Sequence, residues 1–131
     1  MLVLLVLAAL VAAWFARWLL ARRARARFCP PDECLTLALR LRPRGRLGWR
    51  HGFARLTGDA IEWRAEHKLG DGADLRIERA GLVLREHRPV ARGEAMLSEL
   101  CELVFGLYKG EEIQLGVLRT DLERFLDWAA G

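Results

Sequence analysis

The segment from Met1 to Ala21 contains a single charged side chain, Arg17, and four arginines lie within the next six residues. An α-helix needs roughly 17 to 25 mainly apolar residues to cross a bilayer. The long Arg17 side chain lies near the arginine cluster and can reach the headgroups. Trp14 and Trp18 lie at the same end, where interfacial aromatic residues are enriched. Residues 1–21 are therefore predicted to form a transmembrane anchor.

A cleavable secretory signal is the main alternative for this segment. Such signals carry positive charge before the apolar run and end at a small-residue cleavage site. Here no basic side chain precedes the run, and Trp18-Leu19-Leu20-Ala21-Arg22 is a poor cleavage site, which favours a retained anchor. A buried core helix is a weaker alternative, because a chain of this length offers little core to cover it.

The flanking charges predict the orientation and the location of the chain. All of the basic residues beside the apolar run lie on its C-terminal side. The positive-inside rule therefore predicts a single-pass protein of the inner (plasma) membrane, with its N-terminus outside and its C-terminal domain in the cytoplasm.

The formal net charge of +4 hides a strong asymmetry along the chain. Residues 17–50 hold ten arginines against two acidic side chains, a balance of +8, whereas residues 51–131 hold 11 basic and 15 acidic groups, a balance of −4. A basic stretch beside a span is attracted to an anionic leaflet by about 1 kcal/mol per charge. Arginine clusters also bind nucleic-acid phosphates, but their place beside the span favours lipid, and no nucleic-acid partner is expected.

The remaining chain is long enough for one small domain. We assign a basic juxtamembrane linker to residues 22–34, in which Cys29-Pro30-Pro31-Asp32 is expected to end any helix. A β domain follows over residues 35–131.

The cysteines and histidines predict neither disulfides nor a metal centre. Cys29, Cys34 and Cys101 are odd in number and would face a reducing cytoplasm, so disulfides are not expected. Cys29 and Cys34 could form half of a metal site, but the three histidines are scattered singly along the chain. No metal and no cofactor are predicted.

Beyond the linker the hydrophobic period changes from 3.6 to 2, which is typical of strands. Leucines at every second position from Leu35 to Leu41 give the first strand. Turn signals separate further strands, predicted at Gly48–Leu56, Ala60–His67, Leu75–Glu78, Leu82–His87, 101–108 and 113–117. Within 101–108 the alternation predicts that Val104 and Tyr108 face outward, where a protein partner could bind.

The last segment predicts an amphipathic helix over residues 120–129. Thr120-Asp121-Leu122-Glu123 fits a capping box, and apolar residues then recur at helical spacing. The chain is thus predicted to be mainly β: one N-terminal transmembrane helix, then seven antiparallel strands in two groups, then one C-terminal helix. By analogy this is a pleckstrin-homology-like (PH-like) barrel or sandwich, whose open end the helix fills.

Two stretches resemble a known bacterial family. The string from Gly48 to Arg55, Gly-Trp-Arg-His-Gly-Phe-Ala-Arg, continues through Gly58 to Arg64, and the chain ends with Asp-Leu-Glu-Arg-Phe-Leu-Asp-Trp at 121–128. These strings are similar to the signature of the family called domain of unknown function 2550. The resemblance implies a small protein with one N-terminal span and this order of elements. The family has no assigned activity, so the resemblance implies no site residues.

Two groups of side chains are candidates for binding. The first group could contact anionic lipid headgroups, as basic residues in the first hairpin of PH domains do. It combines the arginine collar, which is the four arginines that follow the apolar segment, with the arginines of the first strand and hairpin. These residues are Arg22, Arg23, Arg25, Arg27, Arg40, Arg42, Arg44 and Arg46. They could equally serve only topology and solubility. Arg50, His51 and Arg55 form a possible ligand site. In the alternative interpretation, Gly48 and Gly52 only permit strand coiling, while Trp49 and Phe53 fill the barrel.

No catalytic constellation stands out in the sequence. Ser98 is the only serine, and no phosphate-binding loop is present. We therefore expect a non-enzymatic, membrane-anchored interaction module that engages anionic lipids, an unknown membrane or cytoplasmic protein, or both. A small-ligand or enzymatic site near His51 is one alternative, and an accessory or assembly subunit of a membrane complex is another.

Overall fold

The computed structural model describes residues 1–30, 33–41, 48–91 and 99–131. Within them the chain forms helix α1 (Leu2–Phe28), seven strands and helix α2 (Arg119–Ala130). The strands are β1 (Cys34–Leu41), β2 (Arg50–Leu56), β3 (Ala60–Ala65), β4 (Leu75–Glu78), β5 (Leu82–Pro89), β6 (Cys101–Tyr108) and β7 (Glu111–Leu118). The predicted mainly β fold, with seven antiparallel strands between an apolar helix and a C-terminal helix, is confirmed.

The strands form one curled sheet, a half-barrel, with the order β4-β3-β2-β1-β7-β6-β5. Two separate groups of strands were expected, but β1 pairs with β7 and joins them, with Leu39 opposite Leu115. This pairing brings together residues that are far apart in the sequence. The alternation of apolar residues within one strand does not indicate which other strand it pairs with.

The main core lies on the inner face of the sheet, and Trp63 is its largest fully buried side chain. The Trp63 Nε1–H donates to the Leu37 carbonyl oxygen at 2.8 Å, so the polar atom of the indole is satisfied. The expected filling of the barrel by Trp49 and Phe53 is wrong. Phe53 alternates with the inward-facing Ala54 and so lies on the outer face, and Trp49 packs against a second, smaller apolar cluster.

The expected outward position of Val104 and Tyr108 is also wrong. Val104 is 1% exposed within the main core, and the Tyr108 ring packs against that core while its hydroxyl accepts from the Glu78 N–H at 3.2 Å. Cys101 and Leu103, the alternating residues, are buried in the second cluster. Because both faces of β6 are apolar, the alternation alone could not tell which face meets the main core.

Helix α2 covers the inner face of the sheet. Phe125 is completely buried in the main core, and Trp128 Nε1–H donates to the Thr57 carbonyl oxygen at 2.6 Å. The predicted capping box is not formed: the helix begins at Arg119, Leu118 is its N-cap residue, and no side chain caps it. Thr120 therefore lies inside the first turn, where its hydroxyl is not in the capping position.

Helix α1 runs without interruption from the apolar segment through the arginine collar. Its 27 residues span about 40 Å, and it is long and apolar enough to cross a membrane. Its most apolar stretch has a mean hydropathy of 2.3 and is not buried against the rest of the protein. Residues 22–28, assigned to the linker, are thus helical, and the helix ends at Phe28, just before the expected break at Cys29.

Candidate functional site

The basic end of α1 packs against the outer face of the sheet. The Arg25 guanidinium lies over the Phe53 ring, 3.6 Å from its centroid, and Phe28 is 5% exposed. Arg55 on β2 donates from Nη1 to the Phe28 carbonyl oxygen at 2.9 Å, and its guanidinium lies 4.8 Å from the centre of the Phe28 ring. Arg55 also forms a 2.9 Å ion pair with Glu62 on β3. These contacts connect α1 directly to β2 and, through Arg55, to β3.

The four collar arginines, which were predicted to contact lipid, are all exposed: Arg22, Arg23, Arg25 and Arg27. Their neighbours differ. The Arg22 guanidinium lies over the Trp18 ring, 5.3 Å from its centroid. Arg27 forms a 2.8 Å ion pair with Asp71, and because both side chains are mostly exposed, the pair contributes little to stability.

The first hairpin is described only in part. Arg40 lies on β1 opposite Gln114 of β7 and is partly buried. Arg42, Arg44 and Arg46 lie outside the described residues. Contact of the hairpin arginines with lipid therefore stays a prediction.

The three residues of the possible ligand site do not converge. Arg50 and Arg55 lie at opposite ends of β2, about 17 Å apart along an extended strand. Arg50 lies over the Trp63 ring at 5.0 Å, whereas Arg55 contacts Phe28 at the end of α1. His51 is exposed and lines a separate outer-face pocket of about 170 Å³, whose floor includes the small residue Ala38.

A cleft of about 280 Å³ lies between α1 and the outer face of the sheet. The helix contributes Trp18, Ala21, Arg22 and Arg25 to its lining, and the domain contributes Phe53, Glu66 and His67. The sequence patterns do not predict this cleft. The spacing of Trp18, Arg22 and Arg25 by four and three residues is the signal that could have found its helical wall, since such positions share one helix face.

The model of the family described as "Protein of unknown function (DUF2550)" matches residues 2–129. The chain belongs to the DUF2550 family. The match includes both strings that carried the resemblance and extends over the anchor helix, so the family describes nearly the whole chain. Comparison with curated proteins gave no match, and comparison with solved structures gave none.

The loop between β3 and β4 of this DUF2550 protein is fixed by polar contacts beside the cleft. The Asp74 carboxylate accepts from the Ala65 N–H at 2.7 Å and pairs with Lys68 Nζ at 2.9 Å. Burial raises the pKa of Asp74, but the hydrogen bonds from Ala65 and Lys68 and the charges of Lys68 and Arg50 outweigh it and hold the pKa below its usual range. The carboxylate is thus ionised at neutral pH.

Two of the three cysteines of this DUF2550 protein lie side by side. The sulfur atoms of Cys29 and Cys34 are in contact, with the Cα atoms of the two residues 5.5 Å apart, whereas Cys101 lies elsewhere and is buried. The turn after α1 brings the pair together, because the N–H groups of Glu33 and Cys34 both donate to the Pro30 carbonyl oxygen. The absence of disulfides, expected from a reducing cytoplasm, stays a prediction. The cysteine pair lies between the end of α1 and the start of β1.

The two remaining histidines differ in their surroundings. His67 is exposed and lies at the rim of the cleft. His87 is also exposed, and its Nδ1 lies 3.3 Å from Glu102 Oε2. Arg119 Nε lies 3.7 Å from the other Glu102 oxygen, so the largely buried carboxylate has two basic neighbours.

Proposed function

We propose that this protein is a non-enzymatic module that is anchored in the inner membrane and engages anionic lipid headgroups at the cytoplasmic surface. The observation that carries the proposal is the docking of the domain on the arginine-bearing turns of α1. Phe28 is buried and Arg55 binds the last helical carbonyl, so the domain is fixed within a few turns of the apolar segment.

Charge supports this function. Four exposed arginines follow the apolar segment within seven residues, and each basic residue near an anionic leaflet contributes about 1 kcal/mol. Their position on the C-terminal side of the span favours a cytoplasmic domain by the positive-inside rule.

Lipid preference can be measured on the full chain in nanodiscs of mixed phosphatidylcholine and phosphatidylglycerol. Spin-labelled lipids report the fraction of each that is immobilised by the protein. We expect phosphatidylglycerol to be enriched at low salt and the enrichment to fall as salt rises. A variant in which all four collar arginines are glutamine should lose the enrichment. Equal immobilisation of the two lipids by the natural chain would contradict the proposal.

Orientation is tested separately with a reporter fused to the C-terminus. A reporter that is active only in the cytoplasm should be active here. Activity of a reporter that works only outside the cell would instead place the domain on the other side of the membrane.

A small-ligand site at His51 is the second candidate, because this exposed side chain lines a pocket of about 170 Å³. His51→Ala discriminates between the two functions. The lipid function predicts unchanged lipid enrichment and unchanged thermal stability. A stable His51→Ala protein that keeps its lipid enrichment, but fails to replace the natural chain in cells that lack it, would favour a ligand site.

A further inference from the structure

The cleft between α1 and the sheet lies where the anchor leaves the apolar segment. Trp18, Arg22 and Arg25 share one face of α1 and span about 10 Å of the helix axis. Tryptophan is enriched at the membrane interface. A membrane position that puts Trp18 at this depth puts Arg22 and Arg25 at and just beyond the headgroups.

Two guanidinium groups in this cleft are held by aromatic rings. The Arg22 guanidinium lies over the Trp18 ring and that of Arg25 over the Phe53 ring, at 5.3 and 3.6 Å from the ring centroids. A contact with a ring does not use the N–H donors of a guanidinium, which can still bind a phosphate in a bidentate manner. By contrast, Arg27 and Arg55, which flank this region, form ion pairs with carboxylates within 3 Å.

The domain wall of the cleft adds polar groups at the same depth. His67 is 87% exposed at its side chain and Glu66 48%, and both line the cleft. The lining thus contains two arginines, one histidine and one carboxylate, a balance that favours an anion. The cleft volume of about 280 Å³ suits a small polar head.

We propose that this cleft binds the headgroup phosphate of one anionic phospholipid, with the acyl chains lying along the apolar surface of α1. The inference rests on the lipid-binding function proposed above and deepens it. It replaces a diffuse attraction of the collar to the membrane by a defined site between the anchor and the domain.

The test compares two double variants that remove the same charge from the same helix segment. Arg22→Gln/Arg25→Gln removes both guanidinium groups from the cleft lining, whereas Arg23→Gln/Arg27→Gln removes two guanidinium groups outside it. Phosphatidylglycerol is titrated into the detergent-solubilised full chain, and native mass spectrometry gives the dissociation constant. We expect the cleft variant to lose about tenfold more affinity than the matched variant, because only the cleft variant also loses the direct contacts with the phosphate.

The outcomes separate the cleft from the general function. Equal losses in the two double variants would overturn the cleft and leave the lipid function standing. If the natural chain binds phosphatidylglycerol no better than phosphatidylcholine, both fail.

Arg25→Gln also removes the contact with Phe53 and could loosen the domain, so a second variant leaves that contact intact. Glu66→Gln removes the carboxylate from the cleft lining, and we expect phosphatidylglycerol to bind about threefold more tightly. Unchanged or weaker binding by Glu66→Gln would contradict the proposed site.

Discussion

Arg64 brings a positive charge into the interior of the domain, where it is 1% exposed. Its two terminal nitrogens donate to the carbonyl oxygens of Gly72 at 3.0 Å and Lys68 at 2.8 Å. The side chain therefore fixes the connection between β3 and β4 that forms the domain wall of the cleft. Arg64 alternates with the inward-facing Trp63 on β3, so the strand pattern predicts that Arg64 is exposed. No pattern in the sequence predicts the loop that covers it.

Replacement of Arg64 by methionine should leave both carbonyl oxygens without a partner. We expect a loss of about 2 to 4 kcal/mol in the free energy of unfolding. Urea unfolding of the full chain in detergent, followed by tryptophan fluorescence, measures this. Arg76→Gln is the control, because the Arg76–Asp59 pair is exposed and should contribute less than about 0.5 kcal/mol. Equal stability of the two variants would refute the role of Arg64.

Asp74 provides a pH-dependent contribution to stability. Its pKa is lowered in the folded protein, so the contribution is fully present above the unfolded value of about 3.9 and is lost as the pH falls through the lowered pKa. Asp74→Asn should therefore cost roughly 1 kcal/mol at pH 7, and little at a pH below the lowered pKa. Urea unfolding at both pH values measures the difference. A constant deficit across that range would contradict the assignment.

At the scale of the elements, the close packing of β2 on β3 depends on Gly52. A Cβ atom at this position would lie 2.7 Å from the Trp63 indole and would also clash with the Arg64 carbonyl oxygen. Gly52→Ala should destabilise the protein by about 1 to 3 kcal/mol or more, because neither backbone nor buried indole can move easily. Gly48→Ala is the matched control, since that position has open space and should tolerate the methyl group. Thermal unfolding of both variants checks the contrast.

Helix α2 is held by its packing rather than by its cap. Phe125→Ala should cost about 3 to 5 kcal/mol, because the ring is completely buried. Thr120→Ala should change stability by less than about 0.5 kcal/mol, since the hydroxyl makes no cap. Urea unfolding compares the two. A loss near 1 kcal/mol in Thr120→Ala would show that the capping box forms after all.

The elements differ in how far the sequence predicts them. Alternating leucines predicted β1, and Pro30 predicted the end of α1, because these signals act over a few residues. The pairing of β1 with β7 was not predictable, since it depends on residues far apart in the chain. The cleft was missed for a related reason: its helical wall is local, but Phe53, Glu66 and His67 reach it only through the fold.

At the scale of the whole molecule, the anchor and the domain form one connected unit. The connection combines a buried ring, Phe28, with a side-chain hydrogen bond from Arg55 to the end of the helix. An apolar helix on a loose tether would let the domain sample many distances from the membrane. Here α1 and the domain are in direct contact, which is the condition for a defined site between them.

Phe28→Ala should loosen this connection without unfolding the β domain. The buried ring contacts the guanidinium of Arg55, and its loss removes the apolar part of the junction. Hydrogen exchange of the full chain in nanodiscs should then be faster at residues 22–30, while β1 and β7 keep their protection. Arg27→Gln is the control, because it removes only an exposed ion pair and should leave exchange unchanged. Unaltered exchange at residues 22–30 in Phe28→Ala would mean that the other contacts suffice to hold the domain on α1. Rapid exchange at these residues in the natural chain would contradict the contact between α1 and the domain.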